Sequence, residues 1–148
     1  MNQSPVEQIR AILAGANDMT IATIRGDGFP QATTVSYVSD GLTIYFGCDP
    51  NSQKARNITQ NNKVSLTINL EYSDWNHIEG VSMAALAERI TDAEEMEKMG
   101  QLMAEKFPQV AAFIPEDSDD MALFRVTPKV VSLLDYSKGF GHTEMVEL

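Results

Sequence analysis

The segment Ser52-Gln53-Lys54-Ala55-Arg56-Asn57 holds the residue types best placed to do chemistry. It follows the turn GCDPN, and Ser52 has the type and position of a helix N-cap, with Ala55 and Ile58 on the buried side of a short helix. A helix start presents backbone N–H groups with no helical acceptor and a partial positive charge. A serine hydroxyl and a lysine beside such a start complete a site for one phosphate dianion. Taken alone, the same residues also describe a capped surface helix with Lys54 and Arg56 in solvent.

Other reactive side chains are few. Trp75 lies in a loop between two predicted strands, where it can stack on a flat cofactor, cap a dimer contact or pack at the core rim. His77 reads as a surface or strand-end residue rather than a proton donor. His142 closes Lys138-Gly139-Phe140-Gly141-His142, where two glycines around an aromatic let backbone fold closely over something flat. Cys48 has no neighbouring histidine or run of bases to activate a thiol, and reads as a small packing residue. As the only cysteine, it excludes an internal disulfide and a multi-cysteine zinc site. The 2 histidines form no metal-binding spacing, so no metal is expected. A Gly-x-Ser-x-Gly elbow, a Walker A loop and a Rossmann glycine fingerprint are all absent from the sequence.

The net charge of −10, from 21 acids against 11 bases, repels polyphosphate backbones and argues against nucleic-acid binding. Acidic runs at 92-DAEEMEK and 116-EDSDD read as solvated helix faces and loops. No apolar run approaches the length of a membrane span, and the N-terminal MNQSPVEQIR lacks the pattern of a signal peptide, so cytoplasmic residence without membrane association is expected. The 148 residues suit one domain over 1–148.

The elements that position the candidate residues follow from period and punctuation. Ser4-Pro5-Val6-Glu7 is a capping-box pattern opening an amphipathic helix over 5–16, with Val6, Ile9, Ile12, Leu13 and Ala16 at helical spacing. Strands are predicted at 19–25, 29–38 and 42–46, joined by Gly-Asp turns into a meander. Pro30 belongs at a strand start or edge. Further strands are predicted at 63–70 and 77–90. Thr91-Asp92-Ala93-Glu94 is a second capping box, for a helix over about 92–107 with Met96, Met99, Leu102 and Met103 inward. Strands at 121–126 and 130–136 complete the chain. Six or seven mostly antiparallel strands close most readily as a barrel with helices covering it. Small apolar residues on both faces of ATTVSYV and GVSMAALAE imply that a second subunit covers one face.

The stretch TIATIRGDGFPQATTVSYVSDGLTIYFGCDPNSQKARNITQNNKVSLTI resembles the flavin-binding core of the pyridoxamine 5′-phosphate oxidase-like family. The likeness continues through GVSMAALAERI and into FRVTPKVVSLLDYSKGFGH, which is similar to the C-terminal strands of its general-stress-protein-like subgroup. The resemblance implies a mainly β split barrel that binds FMN between two copies of itself. It places Gln31, Ala32, Thr33 and Thr34 against the flavin ring and ribityl chain, and brings the backbone of Phe46 and Gly47 near the cofactor. Ser52, Gln53 and Lys54 match the phosphate clamp, with Gln53 where the oxidases often carry arginine. Trp75 and His142 become possible contacts to the partner chain's cofactor.

The implied activity is that of an oxidoreductase acting on a small molecule above the flavin, with no catalytic side chain assigned. True pyridoxamine-phosphate oxidase activity is not expected. Val35-Ser36 stands where those enzymes place a lysine, and Lys138 and His142 stand in place of an Arg-x-His. The alternatives are a flavin-binding electron-transfer or sensor protein without its own substrate, and a relative that binds the deazaflavin F420, whose acidic tail calls for more bases. Heme binding, seen in some relatives of the fold, lacks a well-placed histidine here.

Overall fold

The computed structural model describes residues 3–112 and 121–148; the acidic run at 116–120 lies outside them. Its elements are α1 (Pro5–Gly15), β1 (Asp18–Ile24), β2 (Pro30–Ser36), β3 (Val38–Asp40), β4 (Thr43–Cys48), α2 (Gln53–Gln60), β5 (Lys63–Asn69), β6 (Glu79–Arg89), α3 (Ala93–Lys106), β7 (Ala122–Asp135) and β8 (Thr143–Glu147). Every strand pair is antiparallel. The order across the sheet is β2-β1-β5-β6-β7-β4-β3, with β8 also beside β7. The outermost strands of that order, β2 and β3, are joined in the chain by Tyr37 alone. The sheet therefore curls until its two edges nearly meet, which makes the mainly β split barrel the sequence implied.

Tyr37 shows why the predicted strand 29–38 breaks. Its side chain is fully buried, its hydroxyl donates to the Leu13 carbonyl at 2.6 Å, and its N–H donates to the Asn17 carbonyl at 3.3 Å. Serving α1 costs it a place in a ladder. The expected meander fails for the same reason, since β2 pairs with β1 while β3 and β4 pair at the other end of the sheet. Lys106, at the end of α3, donates to the carbonyls of Ala16 (2.6 Å) and Tyr37 (3.0 Å) and lies 4.0 Å above the Tyr37 ring centroid. Ala16 is the C-cap of α1, where an ammonium meets the negative end of the helix dipole.

The chain runs straight through Pro128, so the two predicted C-terminal strands are one, β7. Pairing slips there: Ala84 faces Val130 and Ala85 faces Pro128, leaving Lys129 as a bulge that relieves the ladder where proline has no donor. The alternation of TEMVE near the C-terminus is too short to predict β8, which brings the strands among the described residues to eight. The first capping box forms as expected, Ser4 Oγ accepting from Glu7 N and Glu7 Oε2 from Ser4 N. The second does not, because Asp92 itself is the N-cap of α3 and accepts from Glu95 N.

The barrel core gathers Met19 and Ile21 of β1, Leu66 and Ile68 of β5, and Phe46 of β4 stacked on Phe124 of β7, with Ile9, Ile12 and Leu13 of α1. Val6 and Met96, expected inward, are exposed. A second cluster lies under α3, where Met99 meets Val38, Tyr45 and Ile90. Glu95 accepts from both Arg125 and the Tyr45 hydroxyl, and Lys98 pairs with Asp40, which pins α3 to the sheet.

Candidate functional site

α2 begins at Ser52, as the sequence predicts. Its hydroxyl accepts from Ala55 N at 3.2 Å, and its carbonyl accepts from Arg56 N at 3.2 Å. That leaves the N–H groups of Gln53 and Lys54 without a helical acceptor. Ser52 Oγ also donates to Cys48 Sγ at 3.6 Å, so the cysteine sits within the turn. Lys54 is half-buried and makes no ion pair among the described residues. Arg56, by contrast, donates to Gln53 Oε1 at 3.1 Å.

The helix start is tied to β2. Asn57, which is 1% exposed, donates to Gln31 Oε1 of β2 at 3.2 Å and to Thr23 Oγ1 of β1 at 3.0 Å, and accepts from Gln53 Nε2 at 2.7 Å. Gln31 and Gln53, singled out separately in the sequence, thus meet through Asn57, which lies in the same segment as Gln53 but had no role assigned. The only signal for Asn57 was its place one turn after Gln53, which many exposed helix residues share.

Residues 31–34 alternate, as a strand requires. Gln31 and Thr33 lie opposite the buried Thr23 and Ile21, while Ala32 and Thr34 lie opposite Ala22 and Thr20 on the outer face. They cannot all lie under one flat ring. However, β2 ends the sheet order, so its free edge offers backbone donors and acceptors together with side chains of both faces. Thr33 Oγ1 is buried with no hydrogen-bond partner among the described residues. Phe46 is fully buried in the core, so only its backbone can approach a ligand. Gly47 lies against β7: an added Cβ would meet Leu123 Cδ2 at 3.0 Å.

Trp75 and His142 sit elsewhere. Trp75 opens a 3-10 turn between β5 and β6 (Trp75–His77), and Phe140 lies in the connection from β7 to β8. Their ring centroids are 6.0 Å apart, and Tyr136 meets Phe140 edge-on at 5.4 Å. Trp75 is 64% exposed and Phe140 77%. Gly139 and Gly141 take φ of 138° and 79°, which lets the turn project Phe140 outward. His142 is exposed beside it, and His77 is exposed with Nδ1 at 2.8 Å from Asp74 Oδ1. Beneath the turn, the buried Asp135 accepts from Gln8, from Ser137 N and from the Ser137 hydroxyl. Burial pushes its carboxyl up, but the hydrogen bonds from Ser137 and Gln8 outweigh that and hold it below the usual aspartate value.

The helix start and the aromatic turn occupy opposite ends of the barrel. Gln31 pairs with Thr23 near the β1–β2 hairpin, and α2 leads into the start of β5; the aromatic turn follows the end of β5 and the end of β7. Ala32 is level with Ala84 of β6 and the start of β5 with Leu86, whereas the aromatic turn is level with Glu79, so the two ends lie roughly 20 Å apart at about 3.3 Å per residue. One chain therefore does not bring these two candidate sets together.

Chemically, the donors at the start of α2 suit a phosphate dianion, and the orphaned Thr33 hydroxyl calls for a polar partner, so these residues fit a phosphate-bearing flavin. Among the described residues, no group of three or more His, Cys, Asp or Glu side chains could hold a metal ion.

A curled antiparallel sheet whose edge strand runs beside a capped helix start defines a split-barrel protein. The pattern of pyridoxamine 5′-phosphate oxidase matches residues 5–135, and the chain belongs to that family. The structure is similar to that of a heme binding protein from Mycobacterium smegmatis, with a TM-score of 0.84 and 22% identity over 99% of this chain and 59% of that one. It is also similar to General Stress Protein 26 from Bacillus anthracis (TM-score 0.72, 17% identity, 97% of this chain and 98% of that one). A third likeness is to the heme storage protein from Vibrio cholerae (TM-score 0.71, 20% identity, 87% of this chain and 92% of that one). At these identities the likeness shows the fold. Comparison with curated protein sequences gives no match. No helix among the described residues is long and apolar enough to cross a membrane.

Proposed function

We propose that this chain is a cytoplasmic FMN-binding protein that works as a homodimer and acts as an oxidoreductase on a small molecule. The observation that carries this reading is the Asn57-centred junction, where a helix start with a free lysine is fastened to an edge strand bearing a buried, unpartnered hydroxyl. Ser52, Gln53 and Lys54 hold the phosphate through backbone N–H groups and the ammonium. Gln31, Thr33 and the free edge of β2 orient the remainder. Bound FMN supplies hydride and single-electron transfer, so the chain needs no acid–base pair of its own for redox chemistry.

The homodimer rests on the outer face. Two rows of small uncharged residues cross the sheet: Ala32, Ala22, Ser65 and Ala84, and beside them Thr34, Thr20, Thr67 and Ser82. A two-fold related copy on that face sets the aromatic end of one chain against the helix-start end of the other. Trp75, Phe140 and His142 then wall the partner's cofactor. The purified protein should be a yellow dimer by visible spectrum and native mass, releasing FMN on denaturation. A colourless protein that leaves the fluorescence of added FMN unchanged would remove the reading, and a heme spectrum would replace it with the property named for two structural relatives. Saturable turnover of a reductant with an acceptor separates an oxidoreductase from a flavin-binding carrier or sensor.

A further inference from the structure

An amide inside a protein is costly unless both of its ends are paired. Asn57 is paired at both: its Nδ2 donates to Thr23 and Gln31, and its Oδ1 accepts from Gln53. Because Asn57 engages Gln31 Oε1, the Nε2 group of Gln31 is turned away from Asn57 and is presented as a donor. Thr33, two residues along the same face, carries the hydroxyl without a partner. On the other side, holding Gln53 fixes the first turn of α2 and with it the attachment of Lys54. The amide chain thus sets the relative position of three donors on two different elements.

We infer that Asn57 is the positioning residue of the cofactor's phosphate-bearing end: it locks the start of α2 to edge strand β2, so that Gln31, Thr33 and Lys54 act on one group. This rests on the FMN reading above. Asn57 touches no ligand atom itself; it acts through Gln31 and Gln53.

The test compares FMN with riboflavin, which lacks the phosphate, by fluorescence titration of the intact protein. The ratio of the two dissociation constants isolates the phosphate end. Asn57→Ala should reduce that preference for FMN by about tenfold, the size of one lost charge-assisted hydrogen bond. If Asn57→Ala does not fold, Gln53→Ala breaks the same chain at its half-buried end and should reduce the ratio as well. Ile58→Val, which thins the buried side of α2 without touching the amides, should lower the melting temperature and keep the ratio. Equal loss of both flavins in the folded Asn57 or Gln53 variants, or an unchanged ratio, overturns the inference while leaving FMN binding intact. A wild-type protein that binds neither flavin overturns the FMN reading and this inference together.

Discussion

Removing one oxygen tests whether Tyr37 is the fastening where the barrel closes. In Tyr37→Phe the ring stays in the core and the hydroxyl donor to the Leu13 carbonyl disappears. Leu13 lies in the last turn of α1, so its carbonyl has no donor further along the helix. With the phenol fully buried and the bond 2.6 Å long, the loss should cost about 2 kcal/mol, within the range for an orphaned buried group. For a chain of this length that lowers the melting temperature by about 4–8 °C. The same contact fixes a sign in alkali. Burial, with a smaller push from Asp18, holds the Tyr37 phenol well above the usual tyrosine value. Below pH ~10 both folded and unfolded chains keep the proton, and the stabilisation is complete. Above it the unfolded chain ionises first, and the wild type loses about 1.4 kcal/mol by pH ~11 through this residue. Tyr37→Phe has no such proton to lose, so its deficit should shrink towards about 0.6 kcal/mol at pH ~11. Denaturant unfolding of both proteins at neutral pH and at that alkaline pH measures the difference directly. A deficit that is absent at neutral pH, or that grows in alkali, would refute the argument.

Three further perturbations address the site and the aromatic turn. Lys54→Ala should weaken FMN binding by about 1–3 kcal/mol, the worth of a charged hydrogen bond, in a fluorescence titration; unchanged affinity would displace the clamp from α2. Asp135→Asn should destabilise the protein by about 1–3 kcal/mol at neutral pH. Because the folded carboxyl titrates below its usual value, that difference is present above pH ~4 and fades as pH falls through the folded value, which thermal melts at pH ~7 and ~3 compare. Trp75 is the only tryptophan and is exposed in the single chain, so its emission should shift to the blue and be quenched when FMN-loaded dimers form; emission that does not change with concentration or flavin would leave Trp75 at the free surface.

What the sequence makes legible is what neighbouring residues decide. Ser4 and Glu7 bond each other across one helical turn, and Ser52 accepts from the Ala55 N–H three residues ahead, so both starts could be read from type and spacing. Tyr37 could not be read so, because its β-propensity agrees with strand and its actual partner, Leu13, lies on a helix 24 residues earlier. Lys106 reaches 90 residues back to Ala16 for the same closure. The site divides along the same line. Lys54 and Ser52 are visible because a helix start is local, whereas Asn57 becomes important only when β1 and β2 arrive beside α2. The alternation of 31–34 was readable in principle, but the resemblance treated the four residues as one surface. An edge strand reconciles the two, since a ligand along the edge meets both faces.

The charge of the chain bears on how two copies can associate. At −10 each, two protomers repel unless the contact itself is neutral and close. The rows from Ala32 to Ala84 and from Thr34 to Ser82 carry no charge and no side chain larger than threonine, across four adjacent strands. Charged residues of the same strands, Asp18, Lys63, Glu79, Glu88 and Arg89, stand at or next to the strand ends. Small residues let two sheets approach until backbone and Cβ atoms touch, which concentrates dispersion contacts where no ion must be desolvated. Under the proposed dimer, a two-fold contact on this face completes two cofactor sites at once, because the helix start and the aromatic turn lie at opposite ends of the barrel. A chain that kept both halves of the site at one end would have no such need of a neutral, small-residue sheet, and the exposed Trp75 and Phe140 would be a cost without a return.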